Sequence, residues 1–146
     1  MSEAHVGRKS YRMPPQEGFT IAHFLTVADV KRSVRFYEKV FDGKVLYESK
    51  EKGDPAFLQI ANTWLIVNTG GGPTSDKPDV ILETPPKRNR VSSFMNVRVA
   101  DIHACYKLWK SRGATFLTPP IEREDETRCY IRDPDGYLIE VGQSKP

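Results

Sequence analysis

The stretch VADVKRSVRFYEKVFDG at residues 27–43 decides the fold, because a second stretch of the same form, VADIHACYKLWKSRG, stands at 99–113. Both begin with Val-Ala-Asp followed by a β-branched aliphatic residue. Apolar residues then recur at the spacing of three and four that is typical of an amphipathic helix. Asp29 and Asp101 are placed to cap the two helices at their N-termini. The repetition predicts two copies of one fold unit.

Strand patterns surround both predicted helices in the same order. Gly43 and Gly113 are expected to end the helices. Apolar or alternating runs predict one strand before each helix and three strands after it. The predicted strands are 20–27, 44–49, 56–60 and 63–67 in the first copy, and 92–99, 114–119, 128–132 and 137–141 in the second. Each copy is therefore expected to be a βαβββ module.

A module of this kind covers one face of its sheet with a helix and leaves the other face bare, so a second module is needed to enclose it. We therefore expect an α+β fold, in which tandem βαβββ modules form a curved mixed sheet around a cavity. The predicted organisation is an N-terminal tail at 1–18, a first module at 19–82, a linker at 83–90 and a second module at 91–146. A cavity of this kind favours a small-molecule ligand.

Composition narrows the possible functions. The net charge of +3 is too small to indicate a nucleic-acid partner, and the basic run at 87–90 is typical of a solvated linker. No window approaches the run of about 18 apolar residues that a membrane helix requires, so no membrane partner is expected. Cys105 and Cys129 have no metal-binding or redox spacing. This favours a cytoplasmic protein with reduced thiols, at least one of them buried.

Two motifs resemble a known family. These are the SxxFY helix of Ser33, Phe36 and Tyr37, and RDPDGYLIEV at 132–141, whose Asp-Pro-Asp-Gly predicts a tight turn. With the tandem modules, they resemble the vicinal-oxygen-chelate superfamily, which includes glyoxalase I, bleomycin-resistance proteins, fosfomycin-resistance enzymes and extradiol dioxygenases. The resemblance covers residues 20–143. It implies the fold more strongly than the function, because one fold hosts many chemistries.

The resemblance also implies where a metal would be bound. Metal-using members take ligands from the first and last strands of each module, and the ion acts as a Lewis acid on the substrate. Glu140 falls on the family's terminal glutamate. Two other ligand positions fall on Phe94 and on Ile66 or Val67, which cannot bind a metal. Glu140 is thus the candidate metal ligand and catalytic residue, with Mn, Fe, Ni or Zn as the possible ion and no cofactor established.

His23 is the second candidate metal ligand. In metal-using relatives the histidine lies seven residues before the capping Asp, whereas His23 lies six before Asp29 and Ala22 lies seven before it. Side chains alternate along a strand, so a shift of one residue points His23 at the opposite face. His23 is either a structural residue packed under the helix or, if a bulge restores the register, a metal ligand or catalytic base.

Alternation along the strands also predicts the ligand-binding side chains. They are large aromatic residues joined by a few polar ones, a combination that suits a flat or amphipathic organic molecule. Arg128 is expected to pair with Glu140 across neighbouring strands, in either a structural or a functional role. The predicted ligand-binding residues are Phe24, Trp64, Asn68, Phe94, Asn96, Arg128 and Tyr130.

Two functions remain open from the sequence. One is a binding protein, like the bleomycin-resistance members, that holds a small aromatic or amphipathic molecule without the full metal site. The alternative is a divalent-metal-dependent lyase, isomerase or ring-cleaving dioxygenase that uses Glu140 and possibly His23. The resemblance also implies a homodimer, because relatives of this length often complete their cavity across a two-fold interface.

Overall fold

The computed structural model describes residues 15–50 and 53–146, which form two compact units divided between Thr84 and Pro85. This division falls inside the predicted linker 83–90. Most of the predicted tail, residues 1–14, lies outside the described residues. The module limits at 19–82 and 91–146 stay predictions.

The first unit is a βαβββ module with a four-stranded mixed sheet. The sheet order is β1-β4-β3-β2, in which β1 and β4 are parallel and the other neighbours are antiparallel. The first and last strands of the unit are therefore neighbours: β1 lies at the edge of the sheet and β4 lies next to it. The elements are β1 (Ala22–Thr26), α1 (Val30–Phe41), β2 (Lys44–Glu48), β3 (Ala56–Ile60) and β4 (Thr63–Asn68).

The second unit repeats this topology. Its sheet order is β5-β9-β8-β6, again with first and last strands parallel, and the short β7 also pairs with β8. The α+β class and the tandem βαβββ modules are confirmed, while the enclosed cavity stays a prediction. The elements are β5 (Met95–Arg98), α2 (Ile102–Ser111), β6 (Thr115–Phe116), β7 (Ile121–Glu122), β8 (Glu126–Arg132) and β9 (Leu138–Ser144).

Several strand limits of the second unit differ from the prediction, and β8 and β9 extend to Glu126 and Ser144, beyond the predicted 128–132 and 137–141. The strand expected at 114–119 is only two residues long, and a separate strand, β7, follows it. Pro119 and Pro120 separate the two pieces, because proline has no N–H for the ladder and restricts the residue before it. The first strand is also shorter than the predicted 92–99. The alternating pattern marked the strand positions but not the points where pairing begins.

The helix starts follow the prediction. The Asp29 carboxylate accepts a hydrogen bond from Arg32 N at 3.1 Å, and the Asp101 carboxylate accepts one from Ala104 N at 3.1 Å. Such caps satisfy backbone donors that have no partner within the helix, each stabilising the protein by about 1 kcal/mol. The repeated Val-Ala-Asp motif is thus the start signal of both helices.

The end of α1 corrects the prediction for Gly43. The left-handed residue there is Asp42, with φ 58°, rather than the glycine. Gly43 N donates to the Tyr37 carbonyl, and a Cβ at position 43 would lie 2.9 Å from that same oxygen. Glycine is therefore needed at 43 for close approach of two backbone segments, not for its φ angle. Gly113, by contrast, has φ 100° at the end of α2, as predicted.

Each sheet has a buried face and a more open one. In the first unit, α1 packs against β2, β3 and β4, and the buried side chains include Leu58, Leu65 and Val67. In β8 the burial alternates regularly, with Cys129 and Ile131 buried and their neighbours partly exposed. The predicted burial of one cysteine is confirmed. No helix in the described parts of the chain is long and apolar enough to cross a membrane.

The Asp-Pro-Asp-Gly segment forms the predicted turn between β8 and β9. The Asp133 carboxylate accepts hydrogen bonds from Asp135 N and Tyr137 N, both at 2.9 Å. Gly136 has φ 91°, a value that favours glycine. This turn fixes the register of the antiparallel pair, which places Tyr130 directly opposite Glu140.

Candidate functional site

The open face of the second sheet carries rows of polar side chains that follow from its register. One row, called here the polar row, runs Asn96–Glu140–Tyr130 across β5, β9 and β8. The next row runs Arg98–Gly142–Arg128 in the same strands. Side chains two apart in a strand share a face, so both rows lie on one side of the sheet.

Arg98 binds two carboxylates on this face. Its Nη2 donates to Glu126 Oε1 at 2.8 Å and to Ser144 Oγ at 3.1 Å. Its Nη1 donates to Glu140 Oε2 at 3.3 Å and to Asn96 Oδ1 at 3.4 Å. The planar guanidinium can make such a fan of bonds because its donors are fixed in one plane. Arg98 therefore joins the two rows and three strands.

Glu140 is the most buried charged group of the site, with 6% of its surface exposed. Tyr130 Oη donates to its Oε1 at 2.9 Å, and Arg98 occupies Oε2. A buried carboxylate without such partners would be costly, because the interior solvates charge poorly. Both oxygens of Glu140 are thus engaged by protein groups.

The predicted Arg128–Glu140 pair is wrong. Arg128 Nη1 donates instead to Glu126 Oε2 at 3.0 Å, two residues away in the same strand. The register explains the difference, since Gly142 rather than Glu140 lies opposite Arg128. Glu126 is therefore shared by two arginines, one at each oxygen.

Proton equilibria follow from these contacts. Hydrogen bonds from Arg98 and then Arg128 hold the pKa of the Glu126 carboxyl below its usual range. The hydrogen bond to Glu126 raises the pKa of Arg128. Burial, and then the hydrogen bond to Glu140, raise the pKa of Tyr130. At neutral pH, Glu126 stays charged and the Tyr130 phenol keeps the proton that it donates.

Two aromatic rings lie beside the polar row. The Phe94 and Tyr130 rings are in edge contact, with centroids 6.0 Å apart and planes at 79°. Phe94 is 41% exposed, so part of its ring is accessible from solvent. Asn96, also exposed, touches Arg98. The predicted ligand-binding residues of the second unit therefore lie together on one face.

Arg98 is the residue of this site that sequence reasoning missed. It lies on the same strand face as Asn96, but no local signal indicated its partners. Gly142 holds the missing signal. A Cβ there would overlap the Arg98 guanidinium, lying 2.7 Å from its Cζ and 3.0 Å from Glu126 Oε1. A glycine inside a strand often marks such a close approach.

His23 lies on the helix-facing side of the first sheet. The pairing of β1 with β4 runs in unbroken register, with His23 opposite Leu65 and Leu25 opposite Val67. Leu25, Leu65 and Val67, which share this face with His23, are all buried. Burial lowers the pKa of His23, so its imidazole is neutral at pH 7. Phe24 points to the opposite, open face and is partly exposed.

The other two predicted residues of the first unit have different surroundings. Trp64 is buried in β4, opposite Ala22. Asn68 holds the end of the sheet: its Nδ2 donates to Asp54 Oδ1 at 2.7 Å, and its Oδ1 accepts from Gly70 N at 2.7 Å. The amide of Asn68 is thus used in fixing the loop that follows β4.

Glu126 and Glu140 are the carboxylates that the open face of the second sheet offers to a divalent metal ion. Within residues 15–50 and 53–146, no group of three or more His, Cys, Asp or Glu side chains could hold one. Divalent ions require several oxygen or nitrogen ligands, and Zn²⁺ sites usually have at least three from the protein. At Glu140 the Arg98 guanidinium and the Tyr130 hydroxyl already bind both carboxylate oxygens, so an ion could bind there only by displacing one of them.

The family profile of the Glyoxalase/Bleomycin resistance protein/Dioxygenase superfamily matches residues 20–141. The chain belongs to this superfamily. Among its superfamily relatives, the metallothiol transferase FosB of Shouchella clausii is 28% identical over 119 residues, covering 80% of this chain and 73% of that protein.

Two solved structures share the fold of this chain. An integron cassette protein from the mobile metagenome of V. cholerae has a TM-score of 0.65 and 23% identity, covering 90% of this chain and 98% of the other. The fosfomycin resistance protein FosX of Listeria monocytogenes, complexed with Mn(II) and sulfate, has a TM-score of 0.63 and 18% identity, covering 86% and 90%. At these identities the likeness concerns the fold alone.

Proposed function

We propose that this superfamily member binds a small aromatic or amphipathic organic molecule on the open face of its second unit, without the full metal site of its metal-using relatives. One observation carries the proposal: both oxygens of Glu140 are engaged by Arg98 and Tyr130. The carboxylate at the family's terminal ligand position thus stabilises the sheet instead of an ion.

The surrounding side chains support a binding role. Phe94 and Tyr130 offer an exposed aromatic edge and face, and aromatic pairs favour such geometry with a third ring. Asn96 and Arg128 add polar groups beside the rings. Few polar groups beside a large apolar surface are typical of small-molecule sites. The predicted first-unit residues Phe24, Trp64 and Asn68 stay proposals as ligand contacts.

A second candidate is a divalent-metal enzyme, a lyase, isomerase or dioxygenase that uses Glu140 and possibly His23. The relative named metallothiol transferase and the Mn(II) complex of FosX favour it. It would require Arg98 to leave Glu140 and His23 to reverse its strand face. Such a change is larger than a rotamer shift for His23, because neighbours in β1 are in regular register.

Metal analysis separates the two candidates. Protein purified without chelators is expected to contain substoichiometric Mn, Fe, Ni and Zn, and to be thermally stabilised by the neutral aromatic probe naphthalene-2-carboxamide. A stoichiometric metal that is absent from Glu140→Ala would overturn the proposal. So would Mn(II)-dependent transfer of a thiol to fosfomycin by the wild-type protein, an assay that does not depend on the folding of a variant.

We also propose a cytoplasmic homodimer. The free thiols of Cys105 and Cys129 are typical of a reducing compartment. Apolar side chains such as Phe19 and Ile21 are largely exposed in the single chain, which favours coverage by a partner. Sedimentation of the full chain at micromolar concentration is expected to give twice the monomer mass, and a monomer would remove this part of the proposal.

A further inference from the structure

We infer that the ligand of this face is an aromatic organic anion, whose carboxylate or related oxyanion binds Arg128 while its ring packs against Phe94 and Tyr130. This inference rests on the proposed function and narrows it from aromatic molecules in general to those with a negative charge. It follows from a difference between the two arginines of one row.

Most N–H donors of the Arg98 guanidinium are already hydrogen-bonded to other side chains of the protein. Both terminal nitrogens of its guanidinium, each with two hydrogens, make two contacts, to Glu126 and Ser144 on one side and to Glu140 and Asn96 on the other. Gly142 leaves the space in which this guanidinium lies. Arg98 therefore serves the sheet and has little capacity left for a ligand.

Most N–H donors of the Arg128 side chain make no hydrogen bond among the described residues. A guanidinium carries five N–H groups, and among the described residues the side chain of Arg128 makes one hydrogen bond, to Glu126 Oε2. Its side chain is 36% exposed on the open face. Since Glu126 holds only one edge, a second edge can receive an oxyanion in the paired geometry that guanidinium and carboxylate prefer.

The charge balance of the face favours an anion. Its arginines are Arg98, Arg128 and Arg132, and its carboxylates are Glu126 and Glu140, which leaves an excess of one positive charge. Arg132 donates to the Gly136 carbonyl, a neutral partner. A bound anion would thus neutralise the excess positive charge of the face, whereas a bound cation would increase it.

The spacing along β8 fits a ring beside the anionic group. Arg128 and Tyr130 are two residues apart on one face, which corresponds to about 6.6 Å along a strand. The Phe94 ring is in edge contact with Tyr130, with the ring centroids 6.0 Å apart. When the carboxylate of a ligand binds Arg128, a fused ring system attached to it is therefore long enough to reach the aromatic pair.

The test uses two probes of the same shape, naphthalene-2-carboxylate and the neutral naphthalene-2-carboxamide. Binding to chelator-treated protein is measured by titration calorimetry at low salt, for wild type and Arg128→Gln. Loss of the paired charge-assisted hydrogen bonds is expected to weaken binding of the carboxylate about tenfold or more, with the carboxamide unchanged. Arg123→Gln removes an equal charge from an exposed position of the same unit and is the matched control.

The outcomes separate the inference from the proposed function. Equal affinity of wild type for both probes, or equal effects of Arg128→Gln and Arg123→Gln, would overturn the inference and leave the binding function intact. Binding of neither probe would overturn both. Selective loss of the carboxylate in Arg128→Gln alone, together with weaker binding at high salt, supports the inference.

Discussion

The two units place different side chains on equivalent rows of their two sheets. In the second unit the polar row is Asn96–Glu140–Tyr130, whereas the matching row of the first unit is Phe24–Ile66–Phe57. Phe24 and Asn96 both lie five residues before the capping aspartate. The next row holds Thr26 and Asn68 in the first unit, where the second holds its arginines.

The two helices also differ, in the number of side chains that they bury. Helix α1 buries five residues, while α2 buries only Ile102 completely. Tyr37 is fully buried eight residues after its cap, and Trp109, at the same distance from Asp101, is partly exposed. The first unit therefore depends more on its apolar core, whereas the second has charged side chains on the open face of its sheet. The same backbone topology tolerates both, because caps and helix-facing residues fix it while the open face is free to vary.

The largest expected effect tests the difference between the two helices. Tyr37→Ala should destabilise the protein by about 3–5 kcal/mol, because it leaves a cavity among buried side chains and removes the contacts with Phe36 and Phe41. Trp109→Ala should cost less, since part of that ring is already exposed. Urea unfolding of both variants measures the two costs. Equal losses would contradict the proposed difference between the helices.

A smaller effect is expected from adding a methyl group at two glycines with close neighbours. Gly43→Ala should cost about 1–3 kcal/mol, because the new Cβ meets the Tyr37 backbone, which cannot move easily. Gly142→Ala should cost less, since it meets the flexible end of Arg98.

The second variant should nevertheless displace Arg98 from Glu126 and Glu140 and alter the affinity for naphthalene-2-carboxylate. Urea unfolding and probe titration together distinguish the two glycines. If Gly142→Ala proved as destabilising as Gly43→Ala, Arg98 would be rigidly held and not a movable side chain.

Acid should weaken the second unit in a pH window set by Glu126. Its pKa in the folded protein lies below 4.5, so its charged form stabilises the fold above that pH. The contribution is lost as the pH falls below 4.5 and through the lowered value. Glu126→Gln should therefore lose less stability than wild type between neutral pH and pH 3.

Tryptophan fluorescence can assign this loss to one unit, because Trp64 lies in the first and Trp109 in the second. The comparison is made in a Trp64→Phe background, with Glu124→Gln, an exposed carboxylate of the same hairpin, as control. An acid response of Glu126→Gln identical to wild type would show that this carboxylate contributes nothing to the pH dependence.

The smallest effect concerns the two thiols. Burial raises the pKa of Cys129 to about 11, and burial followed by Asp101 raises that of Cys105. Thiolate is the reactive form, so native protein at pH 8 should react slowly with iodoacetamide at Cys105 and not at Cys129 until it unfolds. Mass spectrometry of timed samples gives the sites. Early modification of Cys129 would mean that the helix-facing side of β8 opens in the native state.

The sequence predicted those parts of the fold that local signals control. Asp29 and Asp101 cap their helices because the motif supplies an acceptor at the right position, and Asp133 and Gly136 form the turn for the same kind of reason. The strand at 56–60 was predicted to the residue. The family resemblance is confirmed by the superfamily match.

The contacts within the site were harder to predict, because long side chains can reach partners on neighbouring strands. Alternation predicted a site with Arg128 and Glu140, but it did not indicate that Arg98 is the arginine that reaches Glu140. That choice depends on register and on the space above Gly142, which are properties of paired strands. In the same way, the split into β6 and β7 depends on which backbone groups find partners, and not on hydrophobic pattern alone.

The parallel pairing of first and last strands has a consequence for synthesis on the ribosome. β1 pairs with β4 and β5 with β9, each across roughly 40 residues of intervening chain, so a unit cannot complete its sheet until its final strand has been made. The first unit can therefore close while the second is still being translated. A stalled or truncated chain that lacks β9 would leave β5 with an unpaired edge, the kind of edge that chaperones bind and that aggregates form from.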